Sequence, residues 1–171
     1  MTMLNQKLRR QLQQVDFLRY TVAPGVRRMR QRWQRMRAEQ AHFTQVSDLK
    51  QLAAARGKLM EQFAAREEGT QGAFKDLAFM TGILSLMDVL LEMPLADVLK
   101  ELNVPVPVEA ALMRHEGPLG NLLQLTEQLE HDDSDGIAQS LRKLGGSVAQ
   151  GDLMALQLAA YRWANEVATP A

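Results

Sequence analysis

The chain carries three histidines, His42, His115 and His131, and no cysteine. Neutral imidazoles and carboxylates are the groups from which a metal-dependent hydrolase is built, because each offers a lone pair to a cation. Such a site needs several donors converging on one ion, and no histidine here has a histidine partner at i+3 or i+4. His131 and Asp132 are adjacent, but they open the run HDDSDG, which has the composition of a solvated loop. That run also lacks the spacing and the closing Glu of an EF-hand. Without cysteine, thiolate catalysis, Cys-ligated zinc and disulfides are excluded. Ser85 stands in no Gly-x-Ser-x-Gly context and has no histidine base at hand, which argues against nucleophilic catalysis. The run EGPLG at 116–120 fits neither a dinucleotide-binding nor a Walker pattern and reads as a turn.

Two further groups of residues could do something other than fold. Thr81, Ser85, Asp88 and Glu92 follow one another at i, i+4, i+7 and i+11 along an otherwise apolar stretch. At that spacing they share a helix face. They form either a contact face for a partner or the solvent side of a buried helix. The second group is RRMRQRWQRMR at 27–37, with Arg27, Arg28, Arg30, Arg32, Arg35 and Arg37 around Trp33. Guanidinium groups interleaved with an indole suit a phosphate backbone or another anionic surface. The same residues also suit a solvated helix face, or docking on the acidic part of the chain.

The elements that must position these residues are helical. Leu, Ala and Met are abundant while aromatic residues are 5% of the 171, a balance that favours helix over sheet. Hydrophobic residues make up 46%, enough for a real core. Apolar periodicity predicts helices over 3–20, 26–42, 48–66, 71–93, 94–102, 107–114, 119–131, 136–144 and 150–167. Ser47 is a candidate cap for the third, and Ser134 or Asp135 for the eighth. The helix at 71–93 is the most apolar and is expected at the centre of a bundle. The zero net charge hides an asymmetry: residues 1–66 hold 14 Lys/Arg and 4 Asp/Glu, and residues 67–171 hold 6 and 16. Two segments with different roles, or contact between the halves, are implied. No uninterrupted apolar run approaches ~18 residues and the N-terminus shows no apolar leader, so a cytoplasmic protein without a membrane span is expected.

The runs LAAARGKLMEQFA (52–64), AFMTGILSLMDVLLEMPLADVLKELNVPVPVEAALMRHEGPLGNLLQLTEQLE (78–130) and YRWANEV (161–167) resemble the C-terminal part of the HDOD module. This is the HD-related output domain, of the type found in bacterial EAL–HDOD signalling proteins. The resemblance covers about residues 47–168 and is most specific at FMTGILSLMDVLLEMPL followed by EGPLG. It implies an all-α, HD-domain-like helical bundle. In HD phosphohydrolases a run similar to GLLHD places a His and an Asp on the metal. Here Gly82, Ile83 and Leu84 match that run, while Ser85 stands at the His position and Leu86 at the Asp position. The resemblance therefore implies a retained helix and a lost dyad.

Residues 1–46 do not share the resemblance. The family's front segment, similar to DPALxxxLLRxxNS, is not present, nor is an EAL-type sequence. The chain thus reads as a basic helical extension (1–46) followed by a partial HDOD-like domain (47–168). The expected function is a non-enzymatic signal-transduction module, associated with cyclic di-GMP signalling and acting through contacts with an unidentified protein partner. No metal or cofactor is expected. A nucleic-acid-associated adaptor using the Arg-rich helix is the alternative. If the family's front helices normally cover the 71–93 helix, residues 3–42 or a second chain must do so here, and a homodimer is expected.

Overall fold

The computed structural model describes residues 43–67 and 72–168, and among these every regular element is helical. The order is α1 (Phe43–Ala64), α2 (Gly72–Leu84), α3 (Met87–Leu91), α4 (Leu95–Leu102), α5 (Val106–Arg114), α6 (Gly117–Glu130), α7 (Ser134–Lys143), a 3-10 turn (Gln150–Asp152) and α8 (Leu153–Ala168). The described residues thus form an all-α bundle, as their periodicity predicts. The expected helices at 3–20 and 26–42 lie outside the described residues. Among the described residues no helix is long and apolar enough to cross a membrane.

Helix α1 organises the bundle. It packs most extensively on α2 and α8 and also meets α6. Its buried residues include the row Ala53, Arg56, Gly57, Met60, Phe63 and Ala64, at the spacing of one helical stripe, with Ala55 and Leu59 widening the face. Met60 and Phe63 enter the main core with Leu84, Leu91, Val98, Val108, Leu122 and Leu123. The helix begins at Phe43 and runs through Ser47, so it starts more than a turn before the expected cap. The boundary drawn between 46 and 47 therefore falls inside α1.

The short central helices are delimited by local chemistry. Pro94 and Pro105 precede α4 and α5 and offer their carbonyls to the first turns, to Asp97 N at 3.0 Å and to Val108 N at 2.9 Å. Glu92, Asn103 and His115 end α3, α4 and α5 in the left-handed region, closing each helix without glycine. Asp133 caps α7, its carboxylate accepting from Gly136 N at 3.0 Å. It takes the place expected for Ser134 or Asp135. Gly145 and Gly146, at φ 63° and 86°, turn the chain after α7.

The continuous helix expected over 71–93 is two helices. It breaks at Ser85–Leu86. No Pro or Gly causes the break. The Ser85 hydroxyl donates to the Gly82 carbonyl at 2.7 Å. Such a side-chain bond to the i−3 carbonyl competes with the backbone ladder. Leu84 faces the main core, whereas Leu86 lies in a second cluster with Ala53 and Leu90. The apolar face of α2 is covered within the chain by α1, α5 and α6. That helix therefore does not require a second chain as its cover.

Candidate functional site

Helices α1 and α2 approach so closely at Gly57 and Gly82 that side chains are excluded. A Cβ on Gly82 would lie 2.6 Å from Gly57 N and 2.7 Å from the Arg56 carbonyl carbon. This contact fixes Arg56, one residue before Gly57, beside Ser85, three residues after Gly82. The Arg56 residue is 8% exposed, an unusual state for an arginine unless it is paired.

Arg56 is paired on every side. Its Nε donates to Glu130 Oε1 at 2.7 Å and its Nη2 to Glu130 Oε2 at 2.6 Å, a bidentate pair. Its Nη1 donates to Ser85 Oγ at 2.9 Å and lies 3.8 Å from Glu127 Oε1. Glu127 is in turn 2.8 Å from His115 Nε2 through its other oxygen. The carboxylates stand at i and i+3 on α6. The α5–α6 corner that brings His115 to them is itself tight, since a Cβ on Gly120 would lie 2.2 Å from the His115 carbonyl carbon. From α8, Tyr161 senses the same network. Burial raises its phenol above the ordinary tyrosine value, Glu130 raises it further, and Arg56 opposes them.

One guanidinium thus ties α1 to the α2–α3 break and to α6, with α8 at its edge. Chemically the site is a satisfied ion pair with a hydroxyl acceptor. Its carboxylates already serve Arg56 and His115. Among the described residues no group of three or more His, Asp and Glu is placed to hold a metal ion.

The residues singled out in the sequence fare differently. Ser85 belongs to the network. Leu86 is buried among Ala53 and Leu90 and has no donor atom. Thr81 is fully buried and satisfied by its own helix, donating to the Leu77 carbonyl at 2.7 Å. Asp88 and Glu92 lie beyond the break, on and after α3. The four residues Thr81, Ser85, Asp88 and Glu92 therefore do not form one exposed face, because the helix that would align them is interrupted and its first member is inside. Arg27, Arg28, Arg30, Arg32, Trp33, Arg35 and Arg37 lie outside the described residues, as does His42. His131 is exposed, its Nδ1 2.7 Å from the Glu127 carbonyl. Sequence reasoning missed Arg56, Glu127 and Glu130. The available signal was an arginine inside the apolar stripe of α1.

Comparison with known proteins gives a partial match. The chain is 33% identical over 95 residues to the cyclic di-GMP phosphodiesterase CdgJ of Vibrio cholerae. The match covers 56% of this chain and 22% of that protein, so the chain spans about a fifth of its curated relative. No family model matches the chain, and no solved structure matches it.

Proposed function

We propose that this chain is a non-enzymatic module of cyclic di-GMP-linked signalling, a degenerate HD-type helical domain that works through protein–protein contacts. The observation that carries the reading is the Arg56 guanidinium hydrogen-bonded to Ser85 at 2.9 Å. Ser85 stands where the resemblance to HD enzymes would put a metal-binding His. A fixed positive charge at that position repels a divalent cation, and Leu86 offers it no lone pair. Glu130, which could otherwise serve as a ligand, has both oxygens on Arg56. The signalling association rests on the relative, whose name gives it cyclic di-GMP phosphodiesterase activity. A match to 22% of that protein does not by itself assign its activity to this chain.

The test is a hydrolysis assay on cyclic di-GMP with the full chain, with added Mg²⁺ or Mn²⁺ and after chelation. No turnover is expected under any condition. Turnover that disappears on chelation and returns with metal would falsify the reading.

A further inference from the structure

Helix α8 buries one side, Leu153, Leu156, Ala160 and Ala164, and leaves an apolar row bare on the other. Met154 is 80% exposed, Leu158 51% and Tyr161 40%. They stand at i, i+4 and i+7, beside the exposed Ala155 and Ala159. Single exposed apolar residues are ordinary, but a continuous row on one helix marks a contact.

We propose that the occupant of this face is a second copy of the chain, its α8 packed antiparallel on the first across a two-fold axis at Leu158. An isologous contact requires a face that complements itself, and this one does so in three respects. The first is the order of the apolar side chains. Met154 precedes Leu158 by four residues and Tyr161 follows it by three, so at helical rise they lie about 6 Å and about 4.5 Å to either side. Turning one copy about Leu158 sets each Leu158 on its counterpart and each Met154 beside the partner's Tyr161, a thioether against an aromatic ring. The second is size. On the other flank Ala155 precedes Leu158 by three residues and Arg162 follows it by four. The same rotation lays the aliphatic stem of each Arg162 over the small side chain of the partner's Ala155.

The third is charge. Arg162 and Glu166 are exposed towards the C-terminal end of α8 and have no ion-pair partner among the described residues. The Arg66–Asp152 pair stands at the N-terminal end, its side chains 38% and 47% exposed. The two-fold brings these ends together, Arg162 towards the partner's Asp152 and Glu166 towards the partner's Arg66. Glu166 also approaches the positive end of the partner's helix. Opposite charges thus meet at both rims, where they fix the register more than they add affinity. The full chain holds 20 Lys/Arg and 20 Asp/Glu, so two copies meet without net repulsion. This inference does not depend on whether the chain is an enzyme.

The experiment starts from light scattering of the full chain over a range of concentrations. A dimer mass that falls to the monomer on dilution is expected. Leu158→Asp, at the centre of the contact, weakens association about tenfold or more, and circular dichroism checks that its helices are kept. Because the chain has no cysteine, a single introduced thiol reports the register. Leu158→Cys places two thiols at the axis and gives a disulfide-linked dimer under mild copper-catalysed air oxidation. In Met154→Cys the two thiols lie about 12 Å apart along the helices, too far to bridge. A monomer at every concentration overturns the proposal and leaves the face to this chain's own residues or to another protein. A dimer that Leu158→Asp does not weaken also overturns it, as does equal cross-linking of the two cysteine variants.

Discussion

Helices α2 and α8 flank the same helix α1 and are held to it by opposite means. The α1–α2 contact is made by removing side chains: Gly57 and Gly82 let the backbones touch. The α1–α8 contact is made by side chains, with Lys58 over the Trp163 indole at 5.3 Å and the Gln51–Asn165 and Arg66–Asp152 pairs, while Trp163 also stands edge-on to Phe79 of α2 at 5.9 Å. The first contact fixes geometry to a fraction of an ångström and so can aim Arg56 at Ser85. The second covers area and leaves the far side of α8 open. Precision is spent where the buried charge is, because an ion pair in a low-dielectric interior is stabilising only when its geometry is good.

The comparison breaks most severely at the charge. Arg56→Ala leaves the partly buried Glu130 without its bidentate partner, and a loss of up to about 3–5 kcal/mol is expected in chemical denaturation. Replacing both partners, as Arg56→Met with Glu130→Leu, should cost less than Arg56→Ala alone. A double variant as unstable as the sum of its single changes would mean that the pair is not coupled.

Next comes the glycine contact. Gly82→Ala is expected to cost about 1–3 kcal/mol through overpacking against backbone that cannot yield, despite the better helix propensity of alanine. Gly72→Ala on the same helix is the control, since nothing lies within 4 Å of its added Cβ. It should be near neutral. On the α8 side, Lys58→Met removes the cation over Trp163 and breaks the Lys58–Glu61 pair at 2.7 Å, and should lower stability by about 1–2 kcal/mol.

The smallest effect is a titration. Burial and Glu130 hold the Tyr161 phenol above the ordinary value of 10.0. A raised pKa favours the protonated form in the fold. The stabilisation is therefore complete below pH 10 and is lost as pH climbs through the folded value. Phenolate absorbance should show a delayed step that Tyr161→Phe abolishes and Glu130→Gln moves down. A step unmoved by Glu130→Gln would detach Tyr161 from the network.

The helices were legible because apolar periodicity survives wherever a helix packs on one side. Pro94 and Pro105 mark the starts of α4 and α5, and the Gly145–Gly146 pair the end of α7. The break at Ser85–Leu86 was not legible, because its causes are the Ser85 bond back to Gly82 and the guanidinium arriving from α1, neither of which is a local propensity. The polar spacing of Thr81 and Ser85 misled for a related reason: a threonine satisfied by its own helix carbonyl can be buried at little cost. The resemblance singled out Ser85 and Leu86, but it did not point to Arg56. Arg56 stands in the run LAAARGKLMEQFA, and its partners are 71 and 74 residues away on α6. Only the fold joins them.

The most direct test of the proposed non-enzymatic ion-pair site is the melting temperature of the full chain in excess Mn²⁺ against excess chelator. An ion that binds the native state raises the melting temperature by mass action. With Arg56 on Ser85 and Glu130, the two melting curves should superimpose. A higher melting temperature in Mn²⁺, abolished by Glu130→Gln, would show that the carboxylate serves a metal and would contradict the ion-pair site.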